Sequence, residues 1–430
     1  MSEWKTLTIR EFAEVISGST PATNVPEYWD GGIEWVTPVD LSKLNTRFLK
    51  STIRKISKNG LGNSSTGLIP AYNVVMSSRA PIGYFAIPVK DFTTNQGCKS
   101  FKLFPQQDAE YHYYSFLLNI NYFKRFGSGS TFAEISKNDI EKLSFTFPTS
   151  LAEQRKIAHI LSTVDAVIEK TEAAIAKYKA IKAGMMRDLF TRGIDLKTGK
   201  LRPSYDEAPE LYKESELGWV PKEWDSCAMG NYILDNLYGP RFDAKDYSEN
   251  GNVKTIRGTD FTKDGYILYE QAPKASLPAP LISTHKLRDG DVIIVTTAEC
   301  GLTAVFEKPN VDIDFIPSAY SVKYRFRECV KPYFIKFYME TDVAIRQVKK
   351  YVRQGTLGNL PGSDVLRFAM IFPKIGEQNE IARRLLTINA NIKNEEVVLS
   401  KNKQLKSALM SDLLTGKVRV KYEEEKAEAV

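Results

Sequence analysis

Two clusters of basic and hydroxyl-bearing residues occupy corresponding places in the two halves of the sequence, each after a stretch rich in aromatic side chains. The first cluster comprises Lys124, Arg125, Ser128, Ser130 and Thr131, and the second comprises Lys349, Lys350, Arg353, Gln354 and Thr356. Lysine and arginine neutralise phosphates, arginine and glutamine also form paired hydrogen bonds to base edges, and hydroxyl groups bond to either. A solvated helix end followed by a loop would explain one such cluster. Recurrence at matched positions favours contact with nucleic acid.

A second candidate site follows a predicted strand near Val74. The loop after it reads Ser77-Ser78-Arg79-Ala80-Pro81, and we match it with Thr296-Thr297-Ala298-Glu299-Cys300 in the second half. The residues proposed to touch a ligand are Ser78, Arg79, Thr296 and Thr297. Loops that follow strands carry function more often than the strands do. The difference between Arg79 and Glu299 is typical of two related domains that read different bases, but ordinary loop divergence explains it equally well.

The sequence lacks the motifs that would predict independent catalysis. It contains neither an Asn/Asp-Pro-Pro-Tyr/Phe tetrapeptide, typical of methyltransferases, nor a Gly-x-x-x-x-Gly-Lys-Ser/Thr phosphate-binding loop. Its cysteines and histidines are isolated from one another, which argues against a zinc site or a disulfide framework. We therefore expect a protein that is not an enzyme by itself and that binds no cofactor or metal.

Composition and charge limit the class of protein. A chain of 430 residues is long enough for two or three domains, and a hydrophobic content of 43% is enough for packed cores. The net charge of +7 suits a polyanionic partner, although many proteins with this balance bind no nucleic acid. No signal peptide and no membrane-spanning apolar run is visible, so we expect a soluble, cytoplasmic protein.

Internal duplication is the most informative feature of the chain. The segment from Glu153 to Thr191 aligns without a gap with the segment from Glu377 to Thr415. Phe147-Pro148 and Phe372-Pro373 precede the two copies, and weaker matches extend through the residues before them. The order along the chain is therefore domain, helix, domain, helix.

Both duplicated segments carry a seam of apolar residues at alternating spacings of four and three, which is typical of a coiled coil. The seam residues are Ile157, Leu161, Val164, Ile168, Ile175, Met185 and Leu189 in the first copy, and Ile381, Leu385, Ile388, Ile392, Leu399, Leu409 and Leu413 in the second. Lys182 and Lys406 share one core-type position, where they could fix the register or face solvent or a partner. An ordinary amphipathic bundle helix is the alternative for one copy, and two copies of equal length favour a paired rod.

These observations predict the mixed α/β (α+β) fold class, with two similar α/β domains separated by two long helices that pair as an antiparallel coiled coil. The predicted boundaries are 1–148 for the first domain, 149–192 for its helix, 193–218 for a linker, 219–373 for the second domain, 374–416 for its helix and 417–430 for a charged tail. Antiparallel pairing needs only a short return of the chain. Parallel pairing stays open because the linker could span the rod.

The ordered combination of these segments resembles the specificity subunits of type I restriction-modification systems. Each helix opens with Glu-Gln-x-x-Ile-Ala-x-x-Leu, at Glu153 and at Glu377, and closes near Asp-Leu, at Asp188-Leu189 and at Asp412-Leu413. The segment Leu217–Trp224 also resembles the start of a domain in this family. The resemblance covers nearly the whole chain.

The resemblance implies two target recognition domains, each reading one half of a bipartite site in double-stranded DNA. It implies that the helices set the spacing and dock two modification subunits, which bind S-adenosylmethionine and methylate adenine, and that restriction subunits join for ATP-driven cleavage. S-adenosylmethionine, ATP and Mg²⁺ are then expected on partner subunits. Base-contacting residues are not carried over, because recognition domains diverge. The alternatives are a bivalent DNA-binding adaptor of another restriction-system type and a coiled-coil scaffold between protein-binding domains.

Overall fold

The structure, a computed structural model, describes residues 3–127 and 133–423 of the chain. The chain divides into two compact units. The first unit comprises Met1–Ala173 and Glu396–Val430, and the second comprises Ala174–Glu395. Each unit combines a mixed α/β domain with parts of both long helices.

Strands and short helices alternate in the domain of the first unit. Its strands are β1 (Trp4–Thr8), β2 (Ala13–Ser17), β3 (Trp29–Val36), β4 (Phe48–Leu49), β5 (Lys55–Ile56), β6 (Val74–Ser77), β7 (Phe85–Pro88), β8 (Phe92–Thr94), β9 (Cys98–Leu103) and β10 (Ser144–Pro148). Its helices are α1 (Ile9–Phe12), α2 (Pro38–Ser42), α3 (Lys58–Gly62), α4 (Ala109–Leu118), α5 (Ile120–Arg125), α6 (Lys137–Lys142) and the long α7 (Leu151–Thr191), with a 3₁₀ turn at Pro26–Tyr28.

The core of the first unit is organised by a five-stranded sheet in the order β2-β9-β6-β7-β4, beside a three-stranded sheet in the order β5-β3-β8. Strand β6 is buried on both faces, which explains its continuous apolar run. Val74 and Met76 pack in one cluster with residues of α4 and α7, whereas Val75 packs in another. This alternation is the two-residue period of a strand. Strand β1 pairs separately with β10.

The second unit repeats this architecture. Its strands are β11 (Ile194–Asp195), β12 (Lys200–Leu201), β13 (Tyr212–Ser215), β14 (Gly218–Pro221), β15 (Asp225–Ala228), β16 (Ile233–Tyr238), β17 (Val253–Ile256), β18 (Lys274–Ala275), β19 (Val292–Val295), β20 (Thr303–Val305), β21 (Asp314–Pro317), β22 (Ser321–Phe326) and β23 (Ala369–Phe372). Its helices are α8 (Ala279–His285), α9 (Pro332–Met339), α10 (Asp342–Tyr351), α11 (Gly362–Val365) and the long α12 (Ile375–Leu413), with 3₁₀ turns at Pro209–Leu211, Met229–Tyr232, Ala244–Asp246 and Gly258–Asp260.

The strand order shows that the two domains share one topology. The main sheet of the second unit runs β16-β22-β19-β20, and its smaller sheet runs β18-β17-β21. Both orders match the first unit strand for strand, except that β4 has no counterpart. In both smaller sheets the central strand pairs parallel with one neighbour and antiparallel with the other. Central strand β19 also alternates, because Val292 and Ile294 pack in one cluster and Ile293 in another.

The two long helices pair antiparallel. In the first unit, Lys403 Nζ lies 2.7 Å from Glu172 Oε1 and Lys406 Nζ lies 2.6 Å from Asp165 Oδ1, so the residue number rises along α12 as it falls along α7. In the second unit, Leu189 near the end of α7 shares a buried cluster with Ile381 near the start of α12. All the seam residues named above are buried or half-buried. No helix in the described part of the chain is long and apolar enough to cross a membrane.

The segments predicted as a linker and a charged tail carry local structure of their own. Residues 193–218 contain the hairpin of β11 with β12 and most of the hairpin of β13 with β14. In the tail, Val420 is buried, and Arg419 bonds to a residue of α7. Residues 424–430 lie outside the described part of the chain. One arginine in each segment has a buried partner: Arg202 bonds to Glu377, and Arg419 bonds to Glu153.

Candidate nucleic-acid interface

Loops from three strands meet one later segment at an edge of the sheets of the first unit, and we call this surface the first loop face. It consists of Thr37, Ser78–Ala80, Asn95–Gly97 and Glu134–Ile135. The backbone N–H of Asn95 donates to the carbonyl of Val36 (3.0 Å), and the N–H of Ser78 donates to that of Gly97 (2.8 Å). The N–H of Ile135 donates to the carbonyl of Ser78 (3.0 Å). The sheets therefore fix the loops against one another.

The second unit builds an equivalent surface, the second loop face, from Arg257, Thr296–Ala298, Ser318–Tyr320 and Asn359–Leu360. The N–H of Ser318 donates to the carbonyl of Ile256 (2.8 Å), and the N–H of Thr296 donates to that of Tyr320 (2.9 Å). The N–H of Leu360 donates to the carbonyl of Thr296 (2.7 Å). The same backbone bonds thus hold both faces, although their side chains differ.

This equivalence corrects the loop alignment made from the sequence by one residue. Because Ser78 and Thr296 make the same backbone bonds, Arg79 corresponds to Thr297 and not to Ala298. Ala80 and Ala298 then coincide, and both have positive φ, at 56° and 65°. The contrast drawn between Arg79 and Glu299 therefore compares positions that do not correspond. The contrast that the faces offer is between Arg79 and Thr297.

Ser78 and Thr296, predicted to contact DNA, are buried, with exposed fractions of 0% and 1%. The Thr296 hydroxyl donates to the carbonyl of Tyr320 (2.9 Å), and the Ser78 hydroxyl accepts from Lys99 Nζ (3.4 Å). Both hydroxyls are used inside the protein, so these residues shape the loops and do not present atoms to a ligand. Each residue is the first after its strand, and both its backbone N–H and its carbonyl bond to neighbouring segments. These bonds draw the residue into the protein, and the local sequence does not reveal them. Thr297 is half-exposed.

Arg79 belongs to a small charged cluster on the first loop face. Its Nη1 atom lies 3.4 Å from Glu134 Oε2, and Lys99 Nζ lies 3.8 Å from Glu134 Oε1. Burial lowers the pKa of Lys99, while the nearby Glu134 carboxylate opposes that shift. Arg79 and Glu134 are both partly exposed. Two cations share one carboxylate here, so the cluster keeps a positive charge that a phosphate could neutralise.

The basic end of α5 lies beside the loop that follows β6. Lys124 and Arg125 are exposed residues of its last turn, where the helix dipole also favours positive charge. Gly83 has φ +104°, and a Cβ there would lie 2.6 Å from Ile120 and 3.9 Å from Lys124 Cε. Glycine thus allows the loop and the helix end to approach closely. The other predicted contacts of this cluster, Ser128, Ser130 and Thr131, lie outside the described residues.

The second unit places its basic cluster in the same way. Lys349 and Lys350 are exposed near the end of α10, and Gly301, with φ +89°, would bring a Cβ within 2.8 Å of Val348. Lys349 and Gln354 line a surface groove together with Lys263 and Glu299. The exposed residues Arg353 and Thr356 follow, and Arg353 Nη2 lies 3.8 Å from Asp364 Oδ2. In each unit, the structure therefore brings the helix-end cluster to the loop after the central strand.

Glu153 and Glu377, which lie in the first turns of the long helices, are each held by an arginine that sequence reasoning missed. Arg419 donates from Nε and Nη2 to the two oxygens of Glu153 (2.8 and 3.0 Å). Arg202 donates from Nη1 and Nη2 to those of Glu377 (2.5 and 3.0 Å), and Trp224 Nε1 donates to Glu377 as well (3.0 Å). Both arginines end a Thr-Gly-Lys-x-Arg sequence, at 198–202 and 415–419. This repeated pentapeptide is the signal that could have revealed them.

The glutamines of the same openings tie each helix to its own domain. Gln154 donates to the carbonyl of Pro148 (2.9 Å) and accepts from the N–H of Asp108 (2.8 Å). Gln378 donates to the carbonyl of Pro373 (2.7 Å) and accepts from the N–H of Lys331 (2.9 Å). Both side chains are buried. The Glu-Gln openings therefore anchor domains internally, and their side chains are not available as a surface for partners.

Lys182 and Lys406, the polar residues at the seam position, each find an acidic partner within their unit. Lys182 Nζ lies 2.9 Å from Glu340 Oε2, and Lys406 Nζ lies 2.6 Å from Asp165 Oδ1. The hydroxyl of Tyr114 donates to the other oxygen of Asp165 (2.6 Å). These lysines therefore link a long helix to its neighbours instead of facing solvent.

The described residues offer no arrangement of three or more His, Cys, Asp or Glu side chains that could hold a metal ion. His112 has a structural role. It is buried in α4, its ring stacks on Phe12 with centroids 4.7 Å apart, and burial lowers its pKa to about 3. Its Nε2 bonds to Gln107 Oε1 at 2.7 Å.

Comparison with known proteins assigns the family. The family model described as the type I restriction modification DNA specificity domain matches residues 1–178 and 230–403, once in each half. The chain is 26% identical over 436 residues to the type I restriction enzyme MjaIX specificity subunit of Methanocaldococcus jannaschii, covering 97% of this chain and 94% of that protein. It is 24% identical to the MjaVIII specificity subunit of the same organism, with the same coverage.

Solved structures agree in fold. The S subunit of the type I restriction-modification system from M. genitalium superimposes with a TM-score of 0.59 at 13% identity, over 96% of both chains. A chain from a structure of a type I R-M system, solved in work on complex assembly and conformational transition, gives a TM-score of 0.52 at 16% identity, over 96% of this chain and 98% of that one. The chain belongs to the type I restriction-modification DNA specificity family and carries two DNA-recognition domains. Such subunits are recognition components and not catalytic ones.

Proposed function

We propose that each loop face reads one half of a bipartite target in double-stranded DNA, and that the paired helices set the distance between the halves. The observation that carries this proposal is that the two faces share one backbone framework but present different side chains. Arg79 in the first unit corresponds to Thr297 in the second, and the same N–H to carbonyl bonds surround both. A common framework with different chemistry is what two readers of unlike sequences require.

The exposed basic helix ends beside the faces support the same assignment. Phosphate contacts fix a protein in register on the duplex, while base contacts specify the sequence. We assign Lys124, Arg125, Lys349 and Lys350 to phosphates, since all four are exposed in the last turns of α5 and α10, and Lys124 and Lys349 adjoin the loops after the central strands. Arg79 and Thr297 belong to the faces themselves. Arg353, Gln354 and Thr356 are assigned to DNA contacts beside the second face, where Arg353 and Asn359 exchange backbone hydrogen bonds. Ser128, Ser130 and Thr131 stay candidates on their sequence alone.

In this proposal the chain is an adaptor and its partners carry out the chemistry. Two modification subunits would dock on the long helices, bind S-adenosylmethionine and methylate adenine, and restriction subunits would join with ATP and Mg²⁺ for cleavage. The exposed side chains on α7 and α12 are the available surface, because the Glu-Gln openings are buried. The resemblance of both helices to the family pattern supports this docking role.

DNA binding and catalysis can be tested separately with the purified full-length chain. The target is first identified by mapping methylated adenines in cells that carry the complex. Fluorescence anisotropy on a duplex containing this target should then show binding that weakens steeply with salt, as phosphate contacts require. The chain alone should transfer no methyl group from S-adenosylmethionine to DNA, and transfer should begin only when the modification subunits are added. Methyl transfer by the isolated polypeptide would refute the adaptor role. Salt-independent binding, or none with the partners present, would refute DNA recognition.

A further inference from the structure

Arg257 occupies a position on the second loop face and was not among the predicted DNA contacts. It follows β17 directly, just as Thr37 follows β3 in the first unit. The equivalence is fixed by the backbone, since Ile256 accepts from Ser318 N–H as Val36 accepts from Asn95 N–H. One framework position therefore carries a threonine in one domain and an arginine in the other.

The first unit shows what the fold requires at this position. The N–H of Thr37 donates to Asp40 Oδ2 (2.9 Å) and Thr37 Oγ1 accepts from the N–H of Asp40 (3.4 Å), which together form a capping box at the short helix α2. In the second unit, the N–H of Arg257 makes the equivalent bond to Asp260 Oδ2 (2.9 Å). A small hydroxyl residue thus meets the structural need, and the long cationic side chain of Arg257 is additional to it.

The guanidinium of Arg257 is held in one orientation. Its Nε donates to Asp260 Oδ2 (3.1 Å) and its Nη2 donates to Asp260 Oδ1 (2.8 Å). Asp260 is 1% exposed, whereas the side chain of Arg257 is 43% exposed. A guanidinium has five N–H donors, and this side-on pair uses two of them. The outer edge, formed by Nη1 and the second hydrogen of Nη2, is left with two parallel donors.

The second loop face also carries an exposed aromatic ring and a close backbone contact next to Arg257. Tyr320, which belongs to the same face, is 64% exposed. Gly258, next to Arg257, packs against the end of β19, because a Cβ there would lie 3.3 Å from Val295 Cγ1. Arg257 therefore lies where the loop after β17 meets the end of β19 and the loop after β21.

We propose that Arg257 reads a guanine in the major groove of the half-site bound by the second unit, with its outer edge donating to N7 and O6. This inference rests on the proposed DNA-reading function and names one base contact within it. Arginine that donates to both O6 and N7 of guanine is the commonest specific base contact. Asp260 orients the fork in advance, so little rotational freedom is lost on binding.

The buried carboxylate also argues against a phosphate contact. Phosphate binding depends on net positive charge, and Asp260 cancels the charge of Arg257 at close range. Base reading depends on the direction of the donors, which the same pair fixes. The first unit has Thr37 here and would read a different base.

The substitution Arg257→Thr installs the first domain's own residue and is the principal test. The full-length chain, with its modification subunits bound, selects targets from a pool of random-sequence duplexes, and sequencing reports the preference at every position. Wild type should require guanine at one position of one half-site. Arg257→Thr should reduce that preference about 10- to 100-fold and leave the other half-site unchanged. Arg257→Lys keeps the positive charge but not the two parallel donors, so it should also lose most of the guanine preference.

Two further variants and one base analogue complete the design. Arg79→Thr, which installs the residue found at Thr297, should leave the guanine position unchanged. Asp260→Asn frees the charge of Arg257, so it should lower the guanine preference while strengthening non-specific binding. Replacing the selected guanine by 7-deazaguanine removes N7, and this should weaken wild type but not Arg257→Thr.

The outcomes separate the two proposals. An unchanged preference in folded Arg257→Thr, checked by an unchanged melting temperature, overturns the guanine contact. An equal loss of binding on all sequences, with a salt slope lower by about one, also overturns it and assigns a phosphate contact. If Arg257→Thr does not fold, Asp260→Asn and 7-deazaguanine decide alone. Failure of wild type to select any sequence would refute DNA reading itself.

Discussion

A four-residue insertion in each long helix tests whether the helices set the distance between the half-sites. The insertions belong after Ala173 in α7 and after Glu395 in α12, where the chain passes from one unit to the other. The ion pairs and buried clusters described above each lie within one unit, so insertions at these two boundaries leave them intact. An insertion just before Asp188 would be a poor choice, because Leu189 and Phe190 are buried in the core of the second unit.

The expected change follows from helix geometry. Four residues lengthen a helix by about 6 Å and rotate everything beyond them by about 400°, or about 40° past a full turn. One base pair adds about 3.4 Å and about 35° to a DNA duplex. A spacer longer by one base pair therefore restores most of the orientation, and a spacer longer by two base pairs restores the distance. A two-residue insertion rotates the chain by about 200°, which no small change of spacer matches.

Methylation mapping on a library of spacer lengths provides the assay. The four-residue variant should modify targets whose spacer is one or two base pairs longer, with both half-sites unchanged, and the two-residue variant should modify none. The seam must absorb a stutter, which coiled coils tolerate locally. Four residues inserted between Lys197 and Thr198, in the exposed turn of the first hairpin, should change nothing. A folded four-residue variant that modifies only the original spacing would show that partner subunits fix the distance.

Three further predictions concern single side chains. Replacing Lys124, Arg125, Lys349 or Lys350 by glutamine should weaken specific and non-specific DNA binding alike. The slope of the logarithm of the binding constant against the logarithm of the salt concentration should fall in magnitude by about one unit per lost phosphate contact. An unchanged slope in all four variants would contradict the assignment. Arg202→Met leaves the buried Glu377 carboxylate without its cation, with only the N–H groups of Ile194 and Trp224 still donating to it. Denaturant unfolding should therefore show a loss of about 3–5 kcal/mol, partly recovered by adding Glu377→Gln; a loss below about 1 kcal/mol would reject the pair's importance. His112 has a folded-state pKa of about 3, and an unfolded histidine has a pKa of about 6.5. As pH falls, the histidine of the unfolded state therefore gains a proton first, which should cost about 2 kcal/mol of stability between pH 7 and pH 5. His112→Phe should remove that part of the pH dependence. An identical pH profile of stability in the variant would contradict the structural role of His112.

Periodic features could be predicted from the sequence because local spacing encodes them. The four-three seam of the long helices and the buried strands at Val74 and Val292 follow from apolar patterning, and the duplication itself exposed the order of domains. The family resemblance followed from the same repeat. These features need no knowledge of which distant residues meet.

Features that depend on long-range contacts could not be predicted in the same way. Arg202 and Arg419 each end a repeated pentapeptide, but the repeat does not show what they contact, and only the fold brings them to buried carboxylates. Ser78 and Thr296 looked available in their loops, but backbone bonds on both sides draw them inward. The match of Val39-Asp40-Leu41 with Thr259-Asp260-Phe261 places Thr37 opposite Arg257, but nothing in the sequence shows that this position lies on a loop face. The positions that diverge most between the domains are those for which sequence comparison gives the weakest alignment.

Independent reading by the two domains is the central claim, and exchanging one domain tests it most directly. Residues 1–148 are replaced with the first domain of another family member, the junction being placed before α7 so that Gln154 and the helix seam are retained. Methylation mapping in cells that carry the modification subunits then compares the targets of the chimera and the wild type. The account predicts that one half of the target changes while the other half and the spacer stay the same. Changes in both halves, with the complex still assembled, would contradict it.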